Sequence, residues 1–120
     1  MPNIALEVSL FPMRISLRER QPQELTIKIT NNDAQAKALD FELLLPPEVG
    51  LDKGGLNRGV KKRLAALRPN ETIKMDYNVF VSKMAGPGNY EGRAVLAECS
   101  PNFEYTSHSY KKELLFRVTD

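Results

Sequence analysis

Cysteine, histidine and tryptophan are nearly absent from this chain. Among 120 residues, Cys99 and His108 are the single cysteine and the single histidine, and there is no tryptophan. A lone cysteine cannot form an internal disulfide, so nothing in the sequence indicates an oxidising compartment. A blue-copper centre needs two histidines and a cysteine, and a zinc site lacks ligands for the same reason. We therefore expect no metal and no other cofactor.

A large net charge and a long apolar run are also missing. Seventeen lysines and arginines against fifteen aspartates and glutamates leave a net charge of +2. This total is too small to indicate nucleic-acid or membrane binding. The start, MPNIALEVSL, carries Glu7 and has neither a basic region nor a long apolar run, so we expect no signal peptide and no transmembrane segment. As written, the chain is expected in the cytoplasm, or outside the cell if it is an excised module of an exported protein.

The length predicts one domain spanning residues 1–120. A chain of this size buries roughly two-thirds of its unfolded surface and needs no disulfide or metal to fold. Hydrophobic residues make up 42% of the sequence and charged residues 27%, which is typical of a globular domain rather than a disordered segment.

Apolar and polar side chains alternate along most of the chain. Successive side chains of a strand point to opposite faces, so this period of two predicts strands. The predicted inward residues are Ile4, Leu6, Val8 and Leu10; Met13, Ile15 and Leu17; Leu25, Ile27 and Ile29; Leu39, Phe41, Leu43 and Leu45; Ile73, Met75, Tyr77, Val79 and Val81; and Leu114, Phe116 and Val118. NYEGRAVLAEC, with small and apolar residues on both faces, and a weaker stretch from Phe103 to Tyr110 bring the total to seven or eight strands. This number predicts an all-β fold, an antiparallel sandwich of two sheets. The stretches around Phe11-Pro12 fit two short strands or one bent strand.

One segment fits two kinds of secondary structure. Val60, Leu64 and Leu67 in RGVKKRLAAL follow the three- and four-residue spacing of a helix, but the segment is also short enough for a strand. The sequence leaves residues 60–67 as strand or helix.

Three stretches combine strands with recurrent turns: LTIKITNNDAQAKALDFELLLPPEV, LRPNETIKMDYNVFV and GPGNYEGRAVLAE. They cover about residues 25–98 and resemble the immunoglobulin-like modules of the CARDB and NEW3 type on archaeal and bacterial surface proteins. The shared pattern is an Asn-rich turn, a long apolar strand, a Leu-x-Pro-Gly-Glu turn and a Pro-Gly-x-Tyr strand entry. Similar turns occur in the major sperm protein and in pilus-chaperone sandwiches. The resemblance implies an immunoglobulin-like β-sandwich and no particular function.

Two residues of these turns have predicted structural roles. Asn70 replaces the usual glycine of the Pro-Gly-Glu turn, and asparagine tolerates the left-handed conformation that such a turn requires. Tyr90 follows Gly86-Pro87-Gly88, and in immunoglobulin-like sandwiches a tyrosine at this place often bonds its hydroxyl to the backbone upstream. Asn70-Glu71-Thr72 is also a glycosylation sequon, which matters only in an exported protein.

A basic region interrupts the resemblance. Residues 49–68 are interpreted as an inserted loop, and its cations are the candidate partner-binding residues Lys53, Arg58, Lys61, Lys62, Arg63 and Arg68. Such a cluster attracts phosphates or acidic partners. It contains no aromatic residues for stacking bases, so no specific nucleic-acid motif is present. The competing interpretation is a solvated loop whose charges keep a sheet edge from pairing with other chains.

Few residues suggest catalysis or metal binding. Cys99 and His108 are close enough in sequence to meet across a hairpin, but a buried filler cysteine and an exposed histidine explain them more simply. Asn31-Asn32-Asp33 offers oxygen ligands to calcium, although such clusters are usually plain turns. No Gly-rich phosphate loop is present. We predict that the protein is not an enzyme.

The function favoured by the sequence is a non-catalytic protein-interaction or structural module. Its contact surface is predicted to be the basic loop 49–68 or an edge strand that pairs with a partner peptide. We expect a protein partner that the sequence does not identify. An anionic partner that binds the basic loop is one candidate. The alternative is a carbohydrate or cell-surface binding module, for which Phe80 is the one aromatic residue on the polar face of a strand.

Overall fold

The protein is built from strands. In a computed structural model the described residues are 3–19, 21–52, 59–83, 85–100, 102–103 and 105–120, and none of them is helical. This part of the chain therefore contains no helix long and apolar enough to cross a membrane. Its nine strands are β1 (Ile4–Phe11), β2 (Arg14–Ser16), β3 (Gln23–Asn31), β4 (Lys37–Leu44), β5 (Val49–Gly50), β6 (Gly59–Leu67), β7 (Thr72–Val81), β8 (Gly88–Cys99) and β9 (Thr106–Thr119). The all-β prediction is confirmed, and the ninth strand is accounted for by β5, which is too short to show an alternation.

The strands form two sheets. One has the order β1-β3-β7-β5 and the other the order β2-β9-β8-β4-β6. Every pair is antiparallel, as predicted, except the short pair of β2 with β9, which is parallel. The reason is the break at Phe11-Pro12, where the chain crosses from one sheet to the other without reversing. The two short stretches are thus separate strands in separate sheets.

The core lies between the sheets and consists mainly of the predicted inward residues. Phe41 and Phe116 are the largest fully buried side chains, and Leu25, Ile27 and Ile29 of β3 are buried as predicted. Sheets that bury one face each against the other explain the period of two. The prediction is wrong for Met13, which is 71% exposed because it lies in the crossover rather than in a strand.

A buried asparagine fixes one end of the sandwich. Asn31 ends β3, and its Nδ2 donates hydrogen bonds to the carbonyls of Leu67 at 2.8 Å and Gln35 at 2.9 Å. Its Oδ1 accepts a bond from the amide of Asp33 at 2.9 Å. The side chain is therefore more than part of a turn. It joins Leu67, the last residue of β6, to the turn that precedes β4.

Both predicted turn residues behave as expected. Asn70 has a φ of 63°, which is the left-handed conformation. Its amide donates to the Asn31 carbonyl at 2.8 Å. The hydroxyl of Tyr90 donates to the Gly86 carbonyl at 2.6 Å, so the predicted corner bond is confirmed.

Candidate interaction edge on strand β6

The basic run of the sequence lies in a strand. Lys61, Lys62 and Arg63 are consecutive residues of β6, which pairs with β4 from Gly59 to Leu64 and again at Leu67, with a register shift between the two. The interpretation of residues 49–68 as a loop is wrong for Val49–Gly50 and Gly59–Leu67, which are β5 and β6, and the choice between strand and helix for 60–67 is resolved in favour of the strand. Pairing with the apolar strand β4 explains this, since Val60 and Leu64 lie opposite Leu43 and Leu39. Lys53 and Arg58 lie outside the described residues.

Strand β6 is the last strand of the five-stranded sheet. Within the described part of the chain its only neighbour in the sheet is β4, so the backbone groups on its other side have no strand partner. Such an edge is a template on which a further extended segment can form main-chain hydrogen bonds. We call the residues Gly59–Leu67 the β6 edge.

Two of its cations are paired on the outer face of the sheet. The Nζ of Lys61 lies 3.6 Å from Oε2 of Glu42, and the Nε of Arg63 lies 3.4 Å from Oδ1 of Asp40. The guanidinium of Arg63 also sits 4.7 Å from the ring centre of Phe103, a cation–π contact. These pairs are exposed, so each stabilises the fold by about 1 kcal/mol at most. They are weak enough to rearrange when a partner binds.

Lys62 differs from its neighbours because it points the other way. It lies opposite Phe41, a fully buried core residue, and is thus on the core-facing side of the sheet with Val60 and Leu64. It remains exposed because β6 is an edge strand. No ion pair involves Lys62 among the described residues. An inward-facing charge on an edge strand is a known device against unwanted strand pairing, because an added neutral strand would bury it.

Arg68 belongs to the turn that follows β6. Its amide donates to Oε1 of Glu71 at 3.0 Å, and its Nη2 lies 3.4 Å from Oε2 of the same carboxylate. The backbone bond, followed by the side-chain bond, lowers the pKa of Glu71 below its ordinary value of 4.5. Arg68 thus stabilises the turn, and its cation is partnered there.

A shallow groove of about 370 Å³ runs along the outer face beside the β6 edge. It is lined among others by Asp40, Glu42, Lys61, Arg63 and Val95. The alternation of inward Leu39, Phe41 and Leu43 implies that Asp40 and Glu42 face outward, but it does not indicate that they pair with the basic run. Only the register of β4 against β6 reveals it, and register is not visible in the alternation alone.

The other candidate residues are placed elsewhere. The Sγ of Cys99 lies 3.8 Å from Oδ2 of Asp40, while His108 is exposed and lies opposite Glu98 in the β8–β9 ladder. Phe80 is half-buried and lines an apolar groove with Ile15 and Leu17 instead of forming an exposed platform. Among the described residues no three His, Cys, Asp or Glu side chains are grouped to hold a metal ion.

This architecture is an immunoglobulin-like β-sandwich, and its fold is similar to that of a solved CARDB domain. The CARDB domain of a Pyrococcus furiosus protein, solved in complex with di-metal ions, has a TM-score of 0.63 and 13% identity, covering 98% of this chain and 89% of that one. The native conformation of Escherichia coli alpha-2-macroglobulin has a TM-score of 0.71 and 18% identity over 99% of this chain. The chain spans 7% of the length of that macroglobulin.

The same fold also occurs in an enzyme. AvmM, which catalyses macrocyclization in alchivemycin A biosynthesis, has a TM-score of 0.60 and 11% identity, covering 98% of this chain and 89% of that one. No family model matches the sequence, and no curated protein matches it either. At these identities the similarity shows a shared fold and does not show a shared function. The shared fold agrees with the resemblance that the turn sequences indicate.

Proposed function

We propose that this protein is a non-catalytic interaction module whose β6 edge pairs with an extended, acidic segment of a partner protein. The observation that carries the proposal is the position of Lys61, Lys62 and Arg63 within an edge strand. These three cations of the basic region lie in the kind of edge strand that was considered from the sequence as a separate candidate. Main-chain hydrogen bonds supply affinity in this mode of recognition, and side chains supply specificity.

Charge selects the kind of partner. A strand added to β6 lies beside three consecutive cations. Two of them, Lys61 and Arg63, are each already paired with a carboxylate of β4. Opposite charges across neighbouring strands stabilise a pair, and like charges directly opposite each other destabilise it. A second copy of β6 is therefore a poor partner for the first. An acidic segment of another protein fits this edge.

The opposite side of the sandwich is less suited to an added strand. There β1 and β9 approach each other, and Ile4 and Leu6 of β1 form one groove with Tyr110 and Lys112 of β9. A strand added to either edge at this place would meet the neighbouring sheet. This favours the β6 edge as the contact surface.

The proposal is tested by selecting phage-displayed random decapeptides on the immobilised full chain. Peptides recovered at low salt should be rich in Asp and Glu, and their binding should be lost in the triple variant Lys61→Glu, Lys62→Glu, Arg63→Glu. The matched control reverses three exposed lysines away from this edge, Lys28→Glu, Lys74→Glu and Lys83→Glu, and should keep binding. Equal loss in both variants would reduce the effect to net charge and contradict the proposal.

Backbone pairing has its own signature. Amide hydrogen exchange should slow at alternate residues of β6 when a selected peptide binds, because in an antiparallel ladder alternate residues direct their N–H groups to the same side. If a peptide bound without slowing amide exchange in β6, the cations would contact it through their side chains alone, with no backbone pairing.

A further inference from the structure

We infer that the partner segment of the β6 edge carries an acidic residue between two apolar ones, in the order apolar-x-acidic-x-apolar, and that Lys62 selects it. The inference rests on the proposed edge-strand function and specifies the chemistry of the partner. Its basis is the core-facing side of β6, where Val60, Lys62 and Leu64 follow one another at every second residue.

The register of β6 fixes what an added strand would meet. Val60, Lys62 and Leu64 lie opposite Leu43, Phe41 and Leu39 of β4, all of which are buried. A further strand continues the pleat, so three of its side chains at every second position face this row at about 4.5–5.5 Å between Cβ atoms. Apolar residues beside Val60 and Leu64 extend the core. The central residue faces the ammonium of Lys62.

The ammonium needs a partner once water is removed. Lys61 and Arg63 have carboxylates on the outer face, whereas no ion pair of Lys62 occurs in the described part of the chain. A neutral residue opposite Lys62 would desolvate a charge without compensation, which is costly. A glutamate or aspartate there forms a charge-assisted hydrogen bond with it. Lys62 therefore disfavours uncharged strands and favours acidic ones, which is specificity by repulsion of the wrong partner.

Lys112 shows that the same device occurs on β9. It lies opposite the buried Ala94 and so faces the core side of the sheet, on a part of β9 that does not pair with β2. At that place β1 already lies nearby, as the shared groove with Ile4 and Leu6 shows. Lys62 differs because it and its flanking residues Val60 and Leu64 lie on β6, whose side away from β4 has no strand partner among the described residues. This distinguishes a selecting lysine from one that only blocks pairing.

The test compares peptides selected on the full chain and on three variants. Decapeptides bound by the unchanged protein should share the apolar-x-acidic-x-apolar order. Lys62→Glu should select lysine or arginine at the centre, and Lys62→Leu should select an apolar residue there. The matched control Lys61→Glu changes the adjacent outward residue and should leave the central position acidic. Replacing the central Glu of a selected peptide by Gln should weaken binding by about tenfold, the usual effect of a hydrogen bond to a charged group.

The outcomes separate the two proposals. Peptides that protect β6 amides but have no acidic residue at the centre would overturn the role of Lys62 and leave the edge-strand function intact. If peptides selected on Lys62→Glu still carried an acidic central residue, the proposed role of Lys62 would be overturned as well. If no peptide depends on β6 at all, the edge-strand function itself fails, and Lys62 serves only to block pairing.

Discussion

The ammonium of Lys37 lies 2.8 Å from Oε1 of Glu98, and this pair joins the start of β4 to the end of β8. The same ammonium lies 3.3 Å from Oδ2 of Asp33, and the hydroxyl of Tyr110 donates to Oε2 of Glu98 at 3.3 Å. The side chain of Glu98 is only 6% exposed. The bond to Glu98 raises the pKa of Lys37 above its ordinary value, while partial burial opposes this. The charged groups of this network therefore stabilise one another, and removing one leaves its neighbour without a partner.

Removing the carboxylate of Glu98 should therefore be strongly destabilising. We expect Glu98→Ala to lower the free energy of unfolding by about 2–4 kcal/mol, because it leaves Lys37 partly buried without its nearest partner. The double variant Lys37→Met, Glu98→Leu should lose less, since it removes both charges of the closest pair and leaves only the more exposed Asp33 without its cation. Urea denaturation measures both. If the double variant were as unstable as the single one, packing rather than charge would be the cause.

The buried amide of Asn31 provides a second prediction. Asn31→Ala removes its bonds to Leu67, Gln35 and Asp33 and leaves buried backbone groups without partners. We expect a loss of about 2–4 kcal/mol in the free energy of unfolding. The neighbour Asn32 is exposed, so Asn32→Ala should change it by less than about 0.5 kcal/mol. Similar losses in the two variants would show that the turn as a whole matters and not the Asn31 side chain.

Gly92 has no room for a side chain. A Cβ there would lie 2.7 Å from the carbonyl oxygen of Leu44 and 3.1 Å from the ring of Phe116. Gly92→Ala should therefore lower the melting temperature by several degrees, which corresponds to about 1–3 kcal/mol of overpacking. Gly86 has nothing within 4 Å of such an atom, so Gly86→Ala serves as the control and should leave the melting temperature nearly unchanged. An unaltered melting temperature in both would mean that β4 and β8 can separate at no cost.

Stability should fall in acid. The hydrogen bond from Lys37 lowers the pKa of Asp33 below 3.8, and the bond from the Arg68 amide lowers that of Glu71 below 4.5. A carboxyl whose pKa is lower in the folded state stabilises the fold above its unfolded pKa, and this stability is lost as the pH falls through the folded value. Urea midpoints measured from pH 6 downward should begin to decline near pH 4.5. The double variant Asp33→Asn, Glu71→Gln should show a shallower decline, and an equal slope would assign the acid sensitivity to other groups.

The sequence predicted those parts of the fold that depend on local rules. Alternation identified the buried faces of β3 and β7 because one face of each strand meets the other sheet. The predicted roles of Asn70 and Tyr90 were correct because each turn has a fixed backbone requirement that few residues satisfy. These are constraints that a short stretch of chain carries by itself.

The candidate site needed information that no single stretch contains. The side of the sheet to which Lys62 points follows from its position opposite Phe41, and that register joins strands about twenty residues apart in sequence. The crossover at Phe11-Pro12 places β2 in a different sheet from β1, which alternation cannot distinguish from a bend. The run of cations was visible in the sequence, but its place in an edge strand was not.

The parallel pairing of β2 with β9 also determines how the protein resists tension. Arg14, Ile15 and Ser16 lie beside Arg117, Val118 and Thr119, and the amide of Leu17 donates to the Thr119 carbonyl at 2.8 Å. A pull on the backbone ahead of Arg14 and beyond Thr119 moves these two strands past each other in opposite directions. Their hydrogen bonds are then loaded together in shear instead of opening one at a time, so the short strand β2 acts as a mechanical clamp.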